Sequence, residues 1–227
     1  MHLIVIRPQP GCQATVSAAL ARSIQAYGCP LFTIRPVAWD LPDSENFDAV
    51  LIGSANAIRQ GGDGLAALAG RPAYAVGEAT AQACRDAGLE VIATGTGGLQ
   101  AVLAKLDPTH RRLLRLAGEA RVALDPPTGI TIIERIVYVS EPRPMPGELC
   151  ELIRAPSVIA LHSAEAARHF RRECERNRVD ISRLTLATIG PRVAEAAGAG
   201  WQQVQCAANP SEPALLALAH EMCKESD

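Results

Sequence analysis

Short apolar runs along this chain end in loops of small residues and give way to Ala-rich stretches with helical spacing. The order strand, tight turn, helix, stop occurs at AVGEATAQACRDAGLEV (75–91) and again at TIGPRVAEAAGAGWQQV (188–204). A second echo pairs DAVLIGSANA (48–57) with SVIALHSAEA (157–166). Two echoes at nearly one offset suggest a duplication. Alternation of strands and helices predicts parallel sheets covered by helices on both faces, because a parallel crossover needs a long connection. The expected fold class is therefore α/β, with two small doubly wound units.

Helices are predicted over Thr15 to Ala26, stopping at Gly28, over Ala164 to Arg176, and from Pro213 through Met222. Between the echoes the pattern predicts a strand at Leu113 to Leu116, a turn at Ala117-Gly118, a Pro-Pro-Thr-Gly break and a long extended run from Ile130 to Val139. GGDG at 61–64 reads as a flexible turn after a helix. Two Pro-bearing stretches, Ile34 to Glu45 and Pro142 to Gly147, read as crossings between units. Two crossings insert one unit into the other, with 1–36 and 143–227 forming one domain and 37–142 the inserted one.

The chain has 227 residues, 48% hydrophobic and 20% charged, enough to bury a sizeable core. A formal charge of −2 gives no global attraction for nucleic acid or an anionic membrane surface, so an anionic ligand must be held locally. The seven cysteines are scattered and never form a C-x-x-C pair, which points to a reducing compartment. No run is long enough for a signal peptide core or a membrane span. A soluble, cytoplasmic protein is expected.

In open α/β sheets ligands sit beyond the carboxyl ends of the strands. The loops there are Arg7-Pro8, Ser54-Ala55-Asn56, Gly77 to Thr80, Gly95 to Gly98, Ala117-Gly118, His162-Ser163-Ala164 and Gly190 to Arg192. Several open helices, whose free N–H groups bind carboxylate or phosphate. Ser54, Thr80 and Ser163 also fit a plain role as N-caps. TGTGG at 94–98 lacks the third glycine and the acidic partner of a dinucleotide loop. Neither a phosphate loop nor a clustered metal site is present, and no cofactor is expected. His162 has no acid partner legible in the sequence. Tyr138, closing the long extended run, is either a packed hinge tyrosine or a phenol that donates a hydrogen bond to a developing charge.

These pieces, in this order, resemble the uroporphyrinogen-III synthase family: Arg7-Pro8, Ser54-Ala55-Asn56-Ala57, Val76-Gly77 with Thr80-Ala81, Leu116-Ala117-Gly118, Val137-Tyr138, Ser163, Ile189-Gly190 with Ala194, Gly200-Trp201, Pro210-Ser211 and Leu215. The resemblance implies two flavodoxin-like domains joined by a two-stranded connector, with the active site in the cleft between them. It carries Ser54, Asn56, Thr80, Tyr138 and Ser163 over as cleft positions. Gly77 and Gly190 match loops whose backbone meets substrate carboxylates, and Ala55 and Ala164 lie beside the carried serines. One departure is Val193, where the family usually has Thr or Ser; neighbouring Arg192 is a replacement donor.

The implied reaction closes a linear hydroxymethylbilane with loss of water and inversion of the last pyrrole, without a cofactor. Tyr138 is expected to assist departure of the hydroxyl, while Arg7, Arg192 and the helix N-termini hold acetate and propionate groups. Aromatics at only 4% suit hydrogen-bonded capture of a flexible anion better than stacking on a planar ring. A monomer needing no nucleic acid or membrane is expected, with transient contact to neighbouring pathway enzymes compatible with it. A rival of another class is a non-catalytic module binding a tetrapyrrole or another small anion, for which Val193 is the main support. A nucleotide-dependent enzyme would need the phosphate loop that is missing.

Overall fold

The computed structural model describes residues 1–43 and 46–224. The last two residues of the crossing expected at 34–45 thus lie outside the described residues. Two compact units form, one from Met1–Thr33 with Glu141–Asp227 and one from Ile34–Ser140. The chain opens with β1 (His2–Val5), α1 (Gly11–Leu20), β2 (Ala26–Gly28) and β3 (Phe32–Pro36). It continues with β4 (Ala49–Ile52), α2 (Ala55–Arg59), a 3₁₀ segment (Gly62–Leu68), β5 (Pro72–Val76), α3 (Glu78–Asp86), β6 (Glu90–Gly95), α4 (Leu99–Leu103), β7 (Arg112–Gly118) and β8 (Thr131–Pro142). After the return come α5 (Gly147–Leu152), β9 (Ser157–Leu161), α6 (Ala164–Arg176), β10 (Thr185–Thr188), α7 (Pro191–Ala197), β11 (Gln203–Cys206) and α8 (Glu212–Lys224). Strands β3 and β8 are neighbours in one sheet, and each runs past a boundary between the units.

In the first unit the strand order is β11-β10-β9-β1-β2, and every pair is parallel. The residues of one sheet face, among them Ile4, Ile159 and Leu186, pack with Leu149 of α5, Phe170 of α6 and Val193 of α7. Those of the other face, among them Leu3, Val5 and Val158, pack with Val16 of α1 and Leu215 of α8. Strands buried on both faces read as continuous apolar runs, which is why SVIAL shows no alternation.

The second unit has the order β3-β8-β7-β4-β5-β6, parallel from β8 to β6. Its two echoes fall on β4-α2 against β9-α6 and on β5-α3 against β10-α7. With those matched, β6-β5-β4-β7-β8 lies in the same spatial order as β11-β10-β9-β1-β2. The duplication is therefore circularly permuted: β1 and β2 precede the rest of their unit, whereas their counterparts β7 and β8 follow. Insertion of one unit after β2 of the other has this consequence.

Two local expectations need correction. The first helix is Gly11–Leu20, not Thr15 to Ala26. Ser23, at φ 60°, ends helical continuation, Ile24 turns into the core, and Ala26–Gly28 is taken as a strand alongside β1. The glycine run at 61–64 is not an open turn but enters the 3₁₀ segment, held by Trp39 Nε1 donating to Gly61 O at 2.8 Å. A side chain at Gly64 would meet the Trp39 ring, so this glycine is needed for packing.

Candidate functional site

A ligand crevice in a doubly wound sheet opens where neighbouring strands lead their chains in opposite directions. In the first unit that switch lies between β9 and β1, and in the second between β4 and β7. The loops leaving those strands begin at Ile6, directly before Arg7, and at His162 in one unit, and at Gly53 and Glu119 in the other. Nearly all the residues singled out from the sequence stand on these loops or on the next ones outward.

In the second unit Ser54 is the N-cap of α2, its Oγ accepting from Asn56 N at 3.3 Å. Asn56 is half-buried and Ala55 buried. On the next strand outward Gly77 caps α3 with φ 76° and ψ 151°, a conformation open to glycine and strained for other residues. Thr80 is not an N-cap: it lies in the first turn of α3 with only 5% of its surface exposed, and Gly77 occupies the cap position.

Tyr138 comes to this edge through an irregularity. Strands β7 and β8 pair in step from Arg112↔Thr131 to Ala117↔Ile136, then skip a residue so that Gly118 faces Tyr138. Val137 is the extra residue of a bulge. Regular alternation would send Val137 and Tyr138 to opposite faces, yet both pack against the cluster containing Ile52 and Leu116. The phenol is half-buried, and its hydroxyl has no hydrogen-bond partner among the described residues.

In the first unit Ser163 caps α6, accepting from Ala166 N at 3.1 Å, with Ala164 the first helical residue. Gly190 caps α7 at φ 177°, ordinary extended backbone, and a side chain built there meets nothing within 4 Å. Exposed Arg192 has no ion pair or hydrogen bond from its side chain among the described residues. Val193 is buried in the core against α6 and cannot present a hydroxyl-like group to a ligand.

Arg7 is already engaged. Its Nη1 lies 3.0 Å from Glu212 Oε2, the same oxygen that His162 Nε2 reaches at 3.1 Å. Thr15 Oγ1 donates to the other oxygen, Oε1, at 2.5 Å. Burial tends to raise the Glu212 carboxyl, but the hydrogen bonds from His162 and Thr15 and the charge of Arg7 outweigh it and hold the group at about 2. Burial lowers the His162 pKa and outweighs the opposing pull of Glu212, so the ring is neutral at pH 7 and donates its Nε2 proton to the carboxylate. Glu212 is the acid partner of His162 that sequence inspection did not find.

Among the described residues no group of three or more His, Cys, Asp or Glu side chains could hold a metal ion. Among the same residues no helix is long and apolar enough to cross a membrane.

The fold is shared with solved structures at low identity. Uroporphyrinogen-III synthetase from Helicobacter pylori is similar at a TM-score of 0.61 and 18% identity, covering 98% of this chain and 100% of that one. A mutant uroporphyrinogen III synthase from the extremely thermophilic bacterium Thermus thermophilus gives 0.55 and 14%, with both chains covered completely. No curated protein sequence matches the chain. A family model described as HEM4, uroporphyrinogen-III synthase HemD, matches residues 13–217. With the permuted pair of doubly wound units and a match over most of its length, the chain belongs to the uroporphyrinogen-III synthase family.

Proposed function

We propose that the protein is a uroporphyrinogen-III synthase, a cyclising hydro-lyase that converts linear hydroxymethylbilane into the isomer with an inverted last pyrrole. The terminal hydroxyl leaves as water, giving an azafulvene. Attack by the substituted carbon of the last pyrrole gives a spiro centre, and its rearrangement delivers the inverted ring. The free substrate also closes without inversion, so the protein has chiefly to favour one outcome. A 100-fold preference corresponds to about 2.7 kcal/mol of differential transition-state stabilisation. One hydrogen bond to a charged group, about 1.5–3 kcal/mol, is of that size.

Tyr138 carries the proposal. A phenol aimed by a bulge to the carboxyl edge of its sheet, with its hydroxyl left without a partner among the described residues, is suited to donate to the departing hydroxyl. Ser54, Ala55, Asn56 and Gly77 from one unit, and Ser163, Ala164, Gly190 and Arg192 from the other, form the rest of the substrate-binding set. Thr80 is revised in role: it is as buried as Val193 and its N–H donates to Gly77 O, so it supports the glycine turn from beneath. Helix-opening N–H groups and the Arg192 guanidinium suit acetate and propionate carboxylates. Arg7 is revised in role: Glu212 balances its charge, so it organises the switch point of its unit instead of offering a free cation. The active protein is proposed to be a cytoplasmic monomer, since one chain supplies both sets of loops, and to make transient contact with neighbouring pathway enzymes.

The test is Tyr138→Phe, which keeps the ring and removes the donor. Isomer III turnover is expected to fall about 10- to 100-fold, with isomer I rising toward the uncatalysed rate. Unchanged isomer III turnover would remove Tyr138 from the chemistry.

A further inference from the structure

Gly118 closes β7 in extended backbone and has no positive φ, so its conformation does not call for glycine. What it lacks is room. A Cβ at this position would lie 2.5 Å from Tyr138 Cζ, 2.7 Å from Cε2 and 2.8 Å from the hydroxyl oxygen. The tip of the ring rests on the bare α-carbon. The same two residues are the pair brought opposite each other by the bulge at Val137, and Glu119 N donates to Tyr138 O at 3.0 Å just beyond it. Bulge and glycine thus act on one side chain. The bulge turns the ring to its face of the sheet, and the missing side chain lets the ring lie across the end of β7.

We propose that Gly118 is a positioning residue that sets where the Tyr138 hydroxyl meets the substrate; this rests on the role given to Tyr138 above. The nearest atoms a methyl group would strike belong to the far end of a side chain that can rotate away. Gly118→Ala should therefore move the phenol and leave the strand intact.

The experiment is a double-mutant cycle with Gly118→Ala, Tyr138→Phe and the combined variant, measuring kcat and KM for isomer III from hydroxymethylbilane, with thermal melts on each. Gly118→Ala is expected to lower kcat at least about 10-fold with KM changed less than about 3-fold and an unaltered melting temperature. Added to Tyr138→Phe, it should lower kcat by less than about 2-fold more, because the hydroxyl it misplaces is already gone. In protein labelled with 3-fluorotyrosine, the ¹⁹F resonance assigned to Tyr138 should shift while those of Tyr27 and Tyr74 stay. Full activity of Gly118→Ala beside an impaired Tyr138→Phe would overturn the positioning role alone. Equal losses in both backgrounds, or failure of Gly118→Ala to fold, would do the same by making the glycine purely structural. Full activity of Tyr138→Phe would instead bring down the role of the tyrosine itself.

Discussion

The glycine turn after β5 and the glycine turn after β10 are copies of one design, and they no longer ask the same things of their residues. Gly77 stands at φ 76°, where a side chain is strained, while Gly190 stands at φ 177°, where a side chain is tolerated and has open space. Three residues on, Thr80 and Val193 are both buried in the first turn of the following helix. The exchange of hydroxyl for methyl is therefore an exchange within a core, and Arg192 next to Val193 is the group that faces solvent. The two turns keep the same place between a strand and a helix, but they differ in backbone conformation and in the exposed residue before the buried position, Ala79 in one and Arg192 in the other.

The largest effect should separate the two glycines. Gly77→Ala forces a strained backbone conformation and is expected to cost about 1–3 kcal/mol of stability, visible as a lower urea midpoint. Gly190→Ala should leave the midpoint unchanged. If it nonetheless lowers isomer III turnover, the missing side chain serves close approach of substrate; unaltered turnover would mean that Gly190 is a relic of the duplication.

Val193→Thr restores the hydroxyl of the first turn at the second. Because the position packs in the core with Phe170 and Trp201, the added hydroxyl is expected to destabilise by about 1–2 kcal/mol in denaturant titration and to leave turnover unchanged. A gain in turnover would show that position 193 reaches substrate.

Smaller and confined to acid is the effect of the Arg7–His162–Glu212 cluster of the first unit. His162 has a lowered pKa when folded, so the unfolded chain binds the proton first, and stability should fall as the pH drops below about 6.5. Glu212 adds a second loss between its ordinary value of 4.5 and about 2, where folding holds it ionised. His162→Gln should flatten the first limb of the stability-versus-pH curve and also shrink the second, because the His162 hydrogen bond helps hold Glu212 ionised; a curve identical to the parent's would contradict the neutral, buried ring.

Much of this architecture can be read in the sequence because it is local. The helix over Ala164 to Arg176 keeps its predicted bounds, and Ser54 and Ser163 cap helices because their loops follow apolar runs directly. What sequence patterns miss is set by distant partners. Glu212 meets Arg7 across 205 residues, and no spacing rule links them. The only trace is an acidic residue at the start of a helix opened by Ser-Glu-Pro. The end of α1 is hidden because Ala26–Gly28 continues the helical pattern and becomes a strand only by pairing with β1. The bulge at Val137 leaves no mark in an extended apolar run, so the facing of Tyr138 toward the Ile52 side cannot be inferred from alternation.

The central claim is that the loops of both units direct closure of hydroxymethylbilane toward the inverted ring. The most direct measurement supplies the purified protein with hydroxymethylbilane generated in situ, stops the reaction with oxidant, and separates uroporphyrins I and III by chromatography. Predominant isomer III, in amounts that rise with enzyme concentration, is the predicted result. Isomer I alone, formed at the rate of the protein-free control, would contradict it.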